Sequence, residues 1–203
     1  MFVYCPACAS KEIRFEKERV WLCPGCGFTY FHNIATGTAC VIRTNSGLLF
    51  LVRAKDPGKG KLDLPGGFVD PGEGAEEGLK REIMEELGLD LTSMSNPNTE
   101  FALQTPGNGT DTAIHGGTSM SNLIYLGSFP NKYLYKKINY NTCDLVYFLD
   151  APELTEKDIK LDITENSELR FIKPEEINME DIAFESIRKG VELFISRFAS
   201  KPD

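Results

Sequence analysis

Apolar residues fall in two rhythms along this chain. Between residues 39 and 52 they run almost unbroken, Ala39 to Ile42 and then Leu48 to Val52, around the turn signal Asn45-Ser46-Gly47. Two such runs across a turn predict a β-hairpin. From residue 74 to 87 the spacing changes: Ala75, Leu79, Ile83 and Leu87 recur at steps of four, one stripe of a helix, and Gly88 stands where a helix C-cap belongs. Further strands are predicted at Leu123 to Gly127, Leu145 to Leu149 and Leu169 to Ile172. A last helix is predicted from about Asp181, with Phe184, Ile187, Val191, Phe194, Ile195 and Phe198 on its buried face. Strands and helices in this irregular alternation predict an α/β (α+β) fold, a mixed sheet covered by helices.

The first thirty residues break the pattern. They are poor in aliphatic runs and hold four of the six cysteines, Cys5, Cys8, Cys23 and Cys26, so residues 1–33 read as a separate small module and 34–203 as the main domain. A second irregularity is internal: Thr92-Ser93-Met94-Ser95-Asn96 recurs as Thr118-Ser119-Met120-Ser121-Asn122. The stretch between is rich in Gly, Asn and Thr. A duplication that accompanied insertion of a flexible loop, residues 97–122, accounts for both features, and the core chemistry is expected elsewhere.

Composition narrows the class. At 203 residues, 41% hydrophobic and 26% charged, the chain can form one substantial core with an accessory module. It has no run of about 18 apolar residues, and Met1 to Ser10 lacks the pattern of a secretory signal, so a cytoplasmic protein without a membrane segment is expected. The net charge of −8 argues against a nonspecific nucleic-acid binder, because phosphate contacts call for concentrated basic surface. Polyphosphates remain accessible to an acidic protein through a divalent cation.

The strongest chemical signal lies at the predicted helix. Glu82, Glu85 and Glu86 stand at i, i+3 and i+4, so they project from one side and repel one another. A solvated helix face paired to Lys80 and Arg81 is the plain alternative. A hard divalent cation such as magnesium explains the crowding more economically, because it binds carboxylate oxygens and keeps positions for water and phosphate. The loop Leu64-Pro65-Gly66-Gly67 precedes the helix and gives backbone freedom for a close approach, and Glu73 lies where it could pair with Arg81. Arg53 and Lys61 are candidates to hold phosphate oxygens, with Gly66 and Gly67 beside them.

The segment from Gly67 through Glu73 and Arg81-Glu82-Ile83-Met84-Glu85-Glu86-Leu87-Gly88-Leu89 matches every specified position of the Nudix box, and the chain resembles the Nudix hydrolase family on that ground. The resemblance implies an α/β/α sandwich with a mixed sheet, Glu82, Glu85 and Glu86 as ligands of Mg2+ or Mn2+, and a supporting Glu73–Arg81 ion pair. It implies attack of water on a phosphorus atom of a nucleoside diphosphate derivative. Glu85 or Glu86 could serve as the base, and Glu165 and Glu168, ahead of the last predicted strand, are alternatives.

Cys5-Pro6-Ala7-Cys8 and Cys23-Pro24-Gly25-Cys26 form two Cys-x-x-Cys pairs separated by 14 residues, a spacing suited to one tetrahedral Zn2+. Disulfides are the competing reading, disfavoured in a cytosolic setting. Four thiolates leave no open position, so the zinc should be structural. The module resembles the zinc ribbon ahead of the Nudix domain in NADH pyrophosphatases. His32 reads as a linker residue, Trp21 as a small-core aromatic, and Cys40 and Cys143 as packed thiols. The Ser-Gln-Pro-Trp-Pro-Phe-Pro signature of NADH pyrophosphatases is missing, which turns the expectation toward ADP-ribose-like substrates or other dinucleotides. Tyr133, Tyr135 and Tyr140 are candidates to stack on a base. Rival readings are hydrolysis of RNA caps or damaged nucleotides, and a nucleotide sensor that has lost catalysis; dimers are common among proteins with this resemblance, so a homodimer is open.

Overall fold

The unbroken apolar runs of the first predicted hairpin turn out to be strands buried on both faces. A computed structural model describes residues 2–91, 123–136 and 138–199. The chain divides into two compact units, Met1–Ala35 and Thr36–Asp203. Both copies of the repeated pentapeptide and the segment 97–122 lie outside the described residues.

The first unit is a three-stranded antiparallel sheet, β1 (Arg14–Glu16), β2 (Val20–Leu22) and β3 (Thr29–Phe31), with β2 in the middle. Its small core is aromatic: Trp21 is buried, stacked on Phe15 at 4.7 Å and met edge-on by Phe2 at 5.2 Å. His32 also packs edge-on against Phe15.

In the second unit β4 (Ala35–Thr44) and β5 (Gly47–Arg53) form the expected hairpin, closed by the pairing of Thr44 with Gly47. β6 (Leu62–Asp63) then pairs antiparallel with β5, and α1 (Ala75–Leu87) follows. β7 (Ile124–Tyr135) and β8 (Ile138–Asp150) form a long antiparallel hairpin, and β9 (Asn166–Ile172) pairs with β5. α2 (Glu185–Phe194) continues as a wider turn over Ile195–Ala199. The sheet runs β6-β5-β4-β8-β7 with β9 joined to β5. Ala151 N donates to Arg43 O and Asn45 N to Pro152 O, so residue numbers rise together along β4 and β8. That pair is parallel and the others antiparallel, which makes the sheet mixed.

Alternation along β4 and β5 divides the core in two. Ala39, Val41, Leu48, Phe50 and Val52 face α2 through Ile187, Val191 and Phe194. Cys40, Ile42, Leu49 and Leu51 face α1 through Leu79, Ile83 and Leu87. Each of these large side chains contributes roughly 1.5–3 kcal/mol when fully buried, so both helices are firmly held on the sheet. The fold is an α/β/α sandwich, with Cys40 a packed thiol whose titration burial pushes up.

Two elements differ from the expectation. The hairpin strands extend well beyond Leu123–Gly127 and Leu145–Leu149: Pro130 and Asn131 read as breakers in the sequence, yet β7 tolerates them as an edge strand, and β8 pairs with it through Asn139 and Asn141. The last helix starts later than Asp181: Met179–Asp181 is a short separate turn and Phe184 is the N-cap of α2.

Candidate active site

The helix α1 sets the site because its two faces have different tasks. Leu79, Ile83 and Leu87 are anchored in the core, which fixes Glu82 and Glu86 toward the loop before the helix. Glu77 Oε2 accepts the Gly74 backbone N–H at 2.8 Å at the start, and Gly88 ends the helix at a φ of 68°. The loop Pro65-Gly66-Gly67 is bonded to β4: Cys40 N donates to Pro65 O at 2.9 Å and Thr38 N to Gly67 O at 2.8 Å.

Glu86 is buried in the angle between helix and loop. Its Oε2 accepts the Gly66 N–H at 2.8 Å and its Oε1 accepts Asn166 Nδ2 at 2.9 Å. Burial pushes its carboxyl up to about 8 against the opposing pull of those two donors. Burial also raises the Glu82 carboxyl, against the neighbouring Arg81. Arg81 is the hub: Nε donates to Glu73 Oε1 at 2.8 Å, one terminal nitrogen to Glu82 at 2.8 Å, and the other to Phe68 O at 3.0 Å. Held by Arg81 and by the Asp70 N–H, Glu73 stays below the usual carboxylate range. Glu85 is more exposed and reaches Arg81 at 3.4 Å.

Arg81, Glu82 and Glu86 line one end of a cleft of about 430 Å³, whereas Glu73 and Glu85 are not part of its lining. Among the sequence candidates, Arg53, Gly66, Gly67, Arg81, Glu82 and Glu86 line it. Arg53 is not a free cation, however: it donates to Asp63 Oδ2 and to Pro57 O, each at 2.6 Å, with its guanidinium 4.9 Å from the Phe184 ring centre. Lys61 lies away from the lining and donates to Glu180 O at 3.2 Å. Lys55 lines the cleft in its place, 3.6 Å from Glu165. Of the two alternative bases Glu165 lines the cleft, whereas Glu168 is paired outside it with Arg170. Tyr133 and Tyr135 line it and Tyr140 does not.

Sequence reasoning missed Asn166, Asp63, Thr142 and Asp144, which also line the cleft. Asp63 gave one local signal, a charge between Leu62 and Leu64; buried against Arg53, its carboxyl is pushed up by desolvation. The others carried none.

In the first unit, the Cys5, Cys8, Cys23 and Cys26 sulfurs all lie within 4.8 Å of one another. Two turns of the same form present them: Ala9 N donates to Cys5 O and Gly27 N to Cys23 O. Cys5 and Cys26 sulfurs are 3.6 Å apart, and those of Cys8 and Cys23 3.7 Å. Four thiolates at about 2.3 Å from a tetrahedral zinc stand about 3.8 Å from each other, so the cluster has the dimensions of a zinc site rather than of disulfides.

A mixed sheet between two helices, with a glutamate-bearing helix against a glycine loop, defines the Nudix class of fold. Residues 34–194 match the profile of the NUDIX domain, and the chain belongs to the Nudix family. A segment of 88 residues is 31% identical to the NAD-capped RNA hydrolase NudC of Stutzerimonas stutzeri, covering 43% of this chain and 32% of that protein. A segment of 79 residues is 47% identical to the ADP-ribose pyrophosphatase of Methanocaldococcus jannaschii, covering 39% and 41%. The matching segments thus span less than half of these relatives. A Nudix hydrolase from Nitrosomonas europaea superposes with a TM-score of 0.60 at 20% identity, over 98% of this chain and 94% of that one. The NUDIX domain of Shewanella oneidensis NrtR, solved with ADP ribose, superposes at 0.55 and 16%, over 82% and 90%. At those identities the likeness is one of fold.

Proposed function

We propose that this protein is a divalent-cation-dependent hydrolase of the pyrophosphate bond in a nucleoside diphosphate derivative of the ADP-ribose type. Glu86 carries the reading. It sits near the C-terminal end of α1, buried against the Gly66 N–H with Glu82 and Glu85 within the same turn, and a carboxyl that burial lifts to about 8 is costly to ionise at neutral pH unless a cation shares its site. This all-oxygen donor set suits Mg2+ or Mn2+, with Glu82, Glu85 and Glu86 as the residues that would hold it. Bound there, the cation neutralises phosphate charge and lowers the pKa of a water.

The chain's own groups do the rest. Arg81 fixes Glu73 and Glu82, so the loop and helix keep their spacing when the phosphates enter. Asn166 and the Gly66 N–H orient Glu86. Glu165 is our candidate to take the proton of the attacking water, supported by its place in the cleft lining and its exposure of more than half. A zinc held by the four cysteines would be structural, since four thiolates leave no open position. Similarity to the ADP-ribose pyrophosphatase supports the substrate class, as does the fold shared with a domain solved with ADP ribose.

The test is phosphate release from a panel of nucleotide sugars and dinucleotides with and without Mg2+. Turnover of ADP-ribose that requires the cation and falls by about 10²-fold or more in Glu86→Gln is expected. Tight binding of a panel member with no turnover of any would replace this reading with that of a nucleotide sensor.

A further inference from the structure

The cleft has a second polar region that the hydrolytic groups leave unused. It lies on one face of the β7–β8 hairpin, where Asn131 stands opposite Thr142 in register and Asp144 follows two residues later. Asp144 Oδ2 accepts from the Ser186 hydroxyl at 2.5 Å and from Asn131 Nδ2 at 3.0 Å, so the carboxylate is held in one orientation. Among the described residues its Oδ1 receives no hydrogen bond. Gly37 lies over that atom, and a Cβ there would fall 2.7 Å from it, so the glycine keeps the approach open.

Thr142 supplies the second observation. It is 4% exposed, and its hydroxyl is buried without any hydrogen-bond partner, although the residue lines the cleft. Folded proteins leave few such groups unsatisfied, and one at the floor of a binding cleft points to a partner that a ligand brings. The walls are aromatic: Tyr133 stands 5.5 Å from Phe68 and 5.6 Å from Phe184, ring centre to ring centre. Aromatic walls over a polar floor favour a planar heterocycle with polar edge groups.

We propose that Asp144 and Thr142 form the base-specificity site of this cleft. Asp144 Oδ1, an acceptor, takes an N–H of an exocyclic amino group, and the Thr142 hydroxyl donates to the adjacent unprotonated ring nitrogen. That paired edge belongs to adenine and cytosine; hypoxanthine presents an oxo group and a ring N–H at the same places and is refused. The proposal rests on the nucleotide-hydrolase reading for the identity of the cleft, and it deepens it by naming the base.

Titration calorimetry of the full chain with AMP and IMP tests the site without turnover, and hydrolysis of ADP-ribose gives KM and kcat. AMP should bind about tenfold tighter than IMP or better. Thr142→Val should erase that difference and raise KM for ADP-ribose about tenfold at nearly constant kcat. The same variant should raise the Tm of the ligand-free protein by about 2–4 °C, because a methyl replaces an unpartnered hydroxyl. Asp144→Asn should shift preference toward IMP, and if that variant fails to fold Thr142→Val still decides. Equal affinity for AMP and IMP in the unaltered protein overturns the proposal, as does a higher Tm in Thr142→Val with KM unchanged. Discrimination that follows the ribose 2′-hydroxyl, read with 2′-deoxy-AMP, also overturns it. Preference for AMP with no hydrolysis of any substrate leaves this site standing and removes the hydrolase reading alone.

Discussion

Gly66 and Gly67 are neighbours that constrain the site for different reasons. Gly66 has a φ of 144°, and a Cβ there would fall on the Thr38 carbonyl oxygen. Gly66→Ala meets both backbone strain and an immovable backbone atom, so it should cost about 1–3 kcal/mol of stability by urea unfolding. A Cβ on Gly67 would lie 2.5 Å from Glu82 Oε1, the far end of a flexible side chain. Gly67→Ala should therefore cost less than about 1 kcal/mol while turnover drops tenfold or more, because Glu82 is pushed from Arg81; equal losses in both variants would refute the distinction. Glu86 adds a pH dependence. Its folded carboxyl stands near 8 against an ordinary 4.5, so folding favours the protonated form. That stability is whole below the unfolded value and is lost as pH rises through the folded one. In EDTA the Tm should fall between about pH 5 and 8.5, and Glu86→Gln should flatten the decline. Glu73, Arg81, Glu82, Glu85 and Glu86 were legible in the sequence because a loop and one helix bring them together. Asn166, 80 residues from its partner Glu86, was not, because only the pairing of β9 with β5 carries it to the site.

At the scale of elements the sandwich depends on how closely α2 approaches the sheet. Gly190 faces β8, and a Cβ there would sit 2.8 Å from Val146 Cγ2, a fully buried methyl. Gly190→Ala gains about 1 kcal/mol of helix propensity, yet overpacking of a closed core costs about 1–3 kcal/mol, so the variant should be destabilised. Adding Val146→Ala removes the offending methyls and should recover part of the loss; a double-mutant cycle with no coupling would contradict this contact. The same packing explains what the sequence disclosed. β4, β5 and α1 were predictable because each buries a run or stripe whose period matches its geometry. The outer half of the β7–β8 hairpin was hidden, since there β7 alternates exposed and half-buried residues and carries a proline, while β8 begins with four exposed residues. That half bears Asn131 and Thr142, so although Tyr133 and Tyr135 were candidates from the sequence, the polar groups beside them at the cleft were not.

At the scale of the whole chain, the first unit is too small to stabilise itself by burial. A module of some 35 residues lies below the roughly 40 at which domains usually need a metal or disulfides. The six cysteines form no disulfide, and the Cys5, Cys8, Cys23 and Cys26 sulfurs lie within 4.8 Å of one another, so a structural zinc is expected to supply the stabilisation. A structural zinc contributes roughly 10–16 kcal/mol at neutral pH, far more than the aromatic cluster around Trp21 can supply. Trp21 is the only tryptophan in the chain and is buried, so its fluorescence reports on this unit alone. Stripping zinc with a chelator, or combining Cys5→Ser with Cys23→Ser, should shift Trp21 emission to the red as the aromatic core opens. The second unit keeps its own two-sided core and carries every glutamate of the candidate site. Once Mg2+ is restored, cation-dependent hydrolysis should persist within a few-fold. Unchanged Trp21 emission after zinc removal would show that the metal does not hold the ribbon. Hydrolysis lost while the circular dichroism of the second unit stays intact would mean that the ribbon does more than fold, and would assign it a part in presenting substrate.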